Sequence, residues 1–151
     1  MDGDGRELAA TVARSFSESI CKFNLRCVPV SNDECLLIGN GYALSIGLDR
    51  EGLDIRYIAK TNTDWRSYRI TNYLVTQRLS ADDSAKYGSP TTYGDRILSS
   101  LRVFVSGLQN RGQDILSGDD SWLKELKRRD PDSWVGTVTS RKYSLILDPT
   151  R

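Results

Sequence analysis

The side chains that could carry chemistry in this 151-residue chain are carboxylates, lysines, arginines and three cysteines, because the sequence contains no histidine. We therefore expect no Ser-His-Asp or Cys-His catalysis and no histidine metal ligand. Carboxylates are paired at Asp82-Asp83 and Asp119-Asp120, and Asp130 lies close to Asp132. Such pairs serve glycosidases and aspartic enzymes, but in polar loops they are more often solvated turn or N-cap residues. A carboxylate-based enzyme stays open as an alternative.

The cysteines and glycines do not form a motif that holds a metal or a cofactor. Cys21, Cys27 and Cys35 are separated by six and eight residues, and a zinc site would need a fourth ligand. We expect three free thiols that are buried or half-buried, in a reducing compartment. Gly39-Asn40-Gly41 begins like a dinucleotide-binding fingerprint, but Leu44 stands in place of the third glycine and a strand pattern follows. The sequence thus predicts no metal and no cofactor.

The charge balance and the hydropathy pattern bear on partners and location. Twenty-one basic and 20 acidic side chains leave a net charge of +1, whereas a nucleic-acid-binding domain usually carries a basic excess. No window approaches the roughly 18 apolar residues of a transmembrane helix, and the first residues do not resemble a signal peptide. We expect one globular domain over residues 1–151, located in the cytoplasm, with no membrane contact and no direct nucleic-acid partner.

Hydrophobic periodicity predicts the elements of the N-terminal half. Apolar residues recur at helical spacing and predict an amphipathic helix over residues 5–23, opened by the capping pair Asp4 and Glu7. Residues 25–60 alternate at strand spacing and predict an antiparallel meander of three or four strands, with a hairpin at Asp49-Arg50-Glu51-Gly52. Residues 61–80 are ambiguous between helix and strand spacing, and we favour a helix over residues 67–79.

The C-terminal half alternates between helices and strands. An apolar stripe through Leu101 predicts a helix over residues 95–111, followed by a C′ glycine at Gly112. One further turn at 113–116 and a short helix at 121–129 follow, and residues 135–138 and 143–147 are strand-like. Helices before and after a run of antiparallel strands indicate an α+β fold. The N-terminal helix leads into the β-meander, the C-terminal helices pack on the sheet, and a final strand is possible.

This layout resembles that of small bacterial immunity proteins encoded beside polymorphic or contact-dependent-inhibition toxins. The residues that carry the resemblance are the hairpin Asp49-Arg50-Glu51-Gly52 and the segment Asp114-Ile115-Leu116-Ser117-Gly118-Asp119 before Trp122. The resemblance implies a stoichiometric inhibitor that binds a cognate protein toxin, without catalysis and without a cofactor. It does not define the activity of the toxin.

A secretion chaperone of the α+β type is the second interpretation. Such chaperones also combine an N-terminal helix with a twisted sheet, but they are usually acidic dimers. The net charge of +1 argues against this class, and we expect the free protein to be a monomer.

Aromatic and acidic residues of the middle third are the candidates for the partner-binding face. A nuclease toxin has a cationic active site, so its inhibitor should present carboxylates with aromatic residues among them. The alternative is that the aromatic residues cover the edge of the sheet and the acids keep a loop soluble. Two stretches combine these features: the favoured one contains Trp65, Tyr68, Asp82, Asp83, Tyr87 and Tyr93, and the other is the hairpin with Asp49, Glu51 and Asp54.

Overall fold

The computed structural model describes residues 5–49, 52–61, 64–80, 93–138, 143, 146 and 147; the side chains of residues 5–7 and 93–95 lie outside this description. The predicted capping pair Asp4 and Glu7 therefore lies outside the described side chains. No helix in these ranges is long and apolar enough to cross a bilayer.

A six-stranded antiparallel sheet forms the centre of the fold, and every strand lies beside its neighbour in sequence. The strands are β1 (Arg26–Ser31), β2 (Glu34–Ile38), β3 (Tyr42–Asp49), β4 (Gly52–Lys60), β5 (Trp65–Arg69) and β6 (Trp134–Thr137). Helices precede and follow the strands, which confirms the α+β prediction. The meander over residues 25–60 contains four strands, and Asp49 pairs with Gly52 at the predicted hairpin.

The predicted N-terminal helix is divided into α1 (Gly5–Ser15) and α2 (Ser17–Phe23). Phe16 lies between them with φ −101° and ψ 17°. The hydrogen-bond ladder continues across the division, since the Phe16 N–H donates to the Val12 carbonyl at 2.9 Å and the Ile20 N–H donates to the Phe16 carbonyl at 2.8 Å. The prediction of one continuous helix is therefore wrong at Phe16. Serine on either side of this position favours such a kink, because its hydroxyl competes for backbone hydrogen bonds.

The helix favoured for residues 67–79 is wrong for its first part. Residues 67–69 belong to β5, where Tyr68 pairs with Tyr57. The strand ends at Ile70, whose N–H still donates to the Ile55 carbonyl at 2.9 Å. Helix α3 (Thr71–Gln77) follows. Tertiary pairing with β4 thus decides a segment whose own periodicity is ambiguous.

The C-terminal helices agree with the predicted ranges. They are α4 (Tyr93–Arg111), α5 (Gln113–Ser117) and α6 (Leu123–Arg129), followed by a 3₁₀ turn over Pro131–Ser133. Gly112 ends α4, but its φ of −129° is not the left-handed conformation of a C′ glycine. Glycine is needed there for space, because a Cβ would lie 2.9 Å from the Cα of Leu108.

Both faces of the sheet are covered. The main core lies between one face and helices α1 to α6, and it buries Phe16 and Leu101 to 0% and 1% exposure. A smaller apolar cluster on the other face contains Leu36, Ile58 and Leu147. The strand predicted for residues 143–147 is wrong, since Tyr143, Ile146 and Leu147 have helical backbone. Helical spacing places these three side chains on one side, against the second face.

Candidate partner-binding surfaces

The aromatic residues of the middle third belong to the core. Trp65, Tyr68 and Tyr73 are only 8%, 4% and 2% exposed. Trp65 packs in the cluster on the second sheet face, whereas Tyr68 and Tyr73 pack in the main core. These aromatic residues do not lie on the predicted apolar stripes, but the interpretation that they therefore lie outside the core is wrong. Strand β5 is covered on both faces, which buries Trp65 and Tyr68, and α3 packs Tyr73 into the main core. A partner-binding role for Trp65 and Tyr68 stays a prediction, but the exposure on which it was based is absent.

The remainder of the favoured stretch lies outside the description. Asp82, Asp83 and Tyr87 are not among the described residues, and Tyr93 is described only as the first residue of α4. Glu51 of the hairpin is also outside. The role of these five residues in binding a partner stays a prediction.

The hairpin acids Asp49 and Asp54 lie together at an open groove between the β3–β4 hairpin and α3. The cavity measures about 600 Å³. Its lining consists of hairpin, strand and helix residues: Asp49, Leu53, Asp54, Arg69, Thr71, Asn72 and Val75. Val75 is 52% exposed and supplies an apolar side chain to this lining. We call this surface the hairpin groove.

The Asp54 carboxylate is held in a fixed position within the hairpin groove. Its oxygens lie 2.9 Å from the Arg56 Nε and 3.3 Å from the Arg69 Nε. The Thr71 hydroxyl lies 3.4 Å from the same carboxylate and accepts the Ile55 N–H at 2.8 Å. Asp54 thus ties β4 to β5 and to the start of α3. Two guanidinium groups thus contact Asp54, and Asp49 is the more exposed of the two acids.

The segment behind the resemblance packs against Tyr42. Gly118 ends α5 in a Schellman motif with φ +84°, and the Asp119 N–H donates to the Asp114 carbonyl at 3.0 Å. The Tyr42 hydroxyl donates to the Leu116 carbonyl at 2.7 Å. A Cβ at Gly118 would overlap the Tyr42 ring. Glycine is therefore required there both for its conformation and for this close approach.

The two ends of the same segment are fixed by other contacts. Arg78 donates two hydrogen bonds to the Asp114 carboxylate, at 2.7 and 3.0 Å, and its charge centre lies 5.5 Å from the Tyr73 ring centroid. Trp122 meets the Tyr57 ring edge-on, with 4.9 Å between ring centroids. The Asp119 carboxylate accepts the Ser121 N–H at 3.0 Å, which lowers the pKa of Asp119. Through Arg78 and Tyr57, these contacts attach the segment to the rest of the fold, so the segment has a structural role.

A row of polar side chains crosses the second sheet face. Glu34, Ser45, Arg56 and Ser67 lie on four successive strands and line a cavity of about 210 Å³ together with Tyr143. The Ser45 hydroxyl donates to Glu34. Burial, and then the hydrogen bond to Glu34, raise the pKa of Tyr143. The row thus attaches Tyr143 to the sheet.

The cysteines of the structure are free, as predicted. Cys35 is buried and Cys27 is half-buried, as expected, but Cys21 is exposed, so the burial expected for that thiol is wrong. A hydrogen bond between Cys27 and Cys35 raises the pKa of the buried thiol and lowers that of the other. Within the described ranges, no group of three cysteine, aspartate or glutamate residues has the arrangement of a metal site.

Sequence reasoning missed the exposed pair Trp134 and Val135 on β6, which are 56% and 47% exposed. Two consecutive large apolar residues in a strand point to opposite faces. In β2 the consecutive residues Leu36, Leu37 and Ile38 are all buried, so this pattern alone does not mark Trp134 and Val135 as exposed. Trp134 lines a cavity of about 330 Å³ with Arg66, Tyr68, Lys127, Pro131 and Ser133. We call this surface the Trp134 cavity.

Comparison of the chain with the models of known protein families, with curated proteins and with solved structures found no significant match. Its function is therefore argued from the surfaces described above.

Proposed function

We propose that this protein is a bacterial immunity protein, which binds a cognate toxin in the cytoplasm and neutralises it by one-to-one association without catalysis. The layout that resembles such proteins supports the proposal. The observation that carries it is the hairpin groove, where the exposed Asp49 lies beside the half-buried Leu53 and the exposed Val75.

The chemistry of the hairpin groove suits a cationic protein surface. Asp49 supplies an exposed negative charge that can attract a basic patch over several ångströms. Leu53 and Val75 supply apolar area that gains free energy when a partner covers it. A toxin that cleaves nucleic acid must hold phosphates with basic residues, so its active site offers the complementary charge. Asp54 contributes a preorganised support, because Arg56 and Arg69 hold it in place.

The proposal is tested with the toxin encoded by the neighbouring gene. The binding rate and the protection of growing cells are measured for the wild type and for Asp49→Lys. We expect Asp49→Lys to slow association by about tenfold or more at low salt, with a weaker dependence on salt. Asp132→Lys is the matched control, because Asp132 is also an exposed acid but lies in the 3₁₀ turn. It should associate like the wild type.

A second variant separates the two candidate faces. The double variant Asp82→Lys/Asp83→Lys changes the stretch favoured by the sequence and leaves the hairpin groove intact. Slow association of this variant alone would place the toxin on that stretch. If the wild-type protein neither binds nor protects against the neighbouring gene product, the immunity function itself is refuted.

A further inference from the structure

We propose that β6 and the Trp134 cavity bind an extended acidic segment of a partner protein, which adds a strand to the edge of the sheet. This surface is separate from the hairpin groove and has the opposite charge. The inference does not depend on the identity of the toxin.

Strand β6 is open on its outer side within the described part of the chain. Its recorded pairing is with β5 alone. The Val138 N–H donates to the Trp65 carbonyl at 2.8 Å. Because backbone groups alternate along a strand, the neighbouring Thr137 N–H points away from β5. An extended peptide can use such unpaired groups to continue the sheet.

The Trp134 cavity supplies an aromatic anchor beside this edge. Trp134 is more than half exposed, whereas Trp65 and Trp122 are 8% and 4% exposed. Tryptophan is among the residues most enriched where protein interfaces gain most of their binding energy. Tyr68 and Pro131 complete the apolar wall. A side chain of the bound segment can therefore be buried against Trp134.

The charges around the cavity select an acidic occupant. Arg66 and Lys127 are the lining residues that carry a charge at neutral pH among those described, and both are cations. Lys127 lies 5.5 Å from the centroid of the Tyr68 ring, which holds its ammonium group at the cavity. Asp132 is adjacent to Pro131 in sequence but does not line the cavity. Carboxylates on the bound segment would pair with Arg66 and Lys127, whereas a basic segment would be repelled.

A single-stranded nucleic acid could also stack a base on Trp134 and place phosphates near these cations. The net charge of +1 and the open backbone of β6 favour the peptide. The experiment therefore includes a nucleic-acid probe. The probes are a capped peptide of alternating glutamate and valine, the corresponding lysine–valine peptide, and oligothymidine. Each is titrated into the full chain by calorimetry.

We expect only the glutamate–valine peptide to bind, with a change in the fluorescence of Trp134 and slower hydrogen exchange at the Thr137 amide. Trp134→Ala and Lys127→Glu should each weaken binding by about tenfold or more. Arg102→Glu is the control, because it makes the same change of charge at an exposed position of α4. Asp49→Lys should also bind the peptide normally, which separates this proposal from the immunity function.

Three results would overturn the proposal. One is equal binding of the acidic peptide to the wild type and to Lys127→Glu, provided that circular dichroism shows both to be folded. Another is binding of oligothymidine without binding of the acidic peptide. The last is a concentration-dependent dimer of the protein alone that protects Trp134, since a second copy would then be the occupant.

Discussion

The hydroxyl group of Tyr42 on β3 donates a 2.7 Å hydrogen bond to the carbonyl oxygen of Leu116 in α5. This bond joins residues far apart in sequence, and it is made possible by glycine on two sides of the ring. A Cβ at Gly39 or at Gly118 would overlap the Tyr42 ring. The sheet and the C-terminal helices are therefore joined at a position where both neighbours must lack a side chain.

The substitution Gly118→Ala should destabilise the protein more than Gly41→Ala. Gly118 and Gly41 have φ of +84° and +81°. Alanine at either position would therefore lose about 1–2 kcal/mol of stability by adopting the left-handed conformation. Gly41 has open space around its Cβ position, whereas Gly118 faces the Tyr42 ring. The overlap should add about 1–3 kcal/mol. Urea denaturation measures the difference, and equal losses would show that the contact with Tyr42 is unimportant.

The interaction between Arg78 and Asp114 should stabilise the fold more than the one between Arg129 and Glu125. The Arg78 side chain is 14% exposed and makes a two-point contact with Asp114, while Arg129 is 46% exposed. We expect Arg78→Met to cost about 1.5–3 kcal/mol and Arg129→Met less than about 0.5 kcal/mol. Comparable midpoints for the two variants in denaturant would contradict this ranking.

Alkaline pH should destabilise the protein through Tyr42 and Tyr57. Burial raises the pKa of both phenols above that of an exposed tyrosine. Because the folded state retains these protons more tightly, their contribution is fully present below pH about 10 and is lost as pH rises through the folded-state pKa values. The free energy of unfolding should therefore fall as pH rises above about 10. Tyr42→Phe should show a smaller fall, and an equal fall would remove Tyr42 as a cause.

Shortening the Phe16 side chain, at the kink between α1 and α2, should greatly lower the free energy of unfolding. Phe16 is completely buried, and Phe16→Ala should cost about 3–5 kcal/mol. Phe23 is only half-buried at the end of α2, so Phe23→Ala should cost clearly less. Thermal or chemical denaturation compares them. A loss below about 1 kcal/mol for Phe16→Ala would mean that this side chain does not contribute to the core as described.

The sequence predicted helix α4 and the β-meander, but it misassigned strand β5. The stripe through Leu101 has a single apolar face, so its period identified helix α4 and its buried side. In β5, Trp65 and Tyr68 face different clusters, and no alternation of apolar and polar residues marks the strand. The second cluster is completed by Leu147, whose position depends on tertiary structure. The periodicity of a strand carries no information about residues, distant in sequence, that pack on its second face.

The candidate surfaces were predictable only in part. The acids at the hairpin groove were identified because turn chemistry places hairpin residues at the surface. Val75 was not identified from the sequence, because the exposure of its side chain depends on how α3 lies against the hairpin. Trp134 was missed because the strand was predicted to begin at residue 135 and its place at the edge of the sheet was not predicted. The position of a strand at an edge is a property of the assembled sheet.

The order of the strands also determines how the chain can fold during synthesis. Strands β1 to β5 follow one another through short connections, so their pairing requires only local loop closure. Strand β6 must return to β5 across residues 70–133, which is the longest connection between neighbouring strands. While the ribosome is still adding these residues, the outer side of β5 lacks its partner. A nascent five-stranded sheet therefore presents Tyr68 and an unpaired backbone edge to the chaperones and neighbouring chains around it.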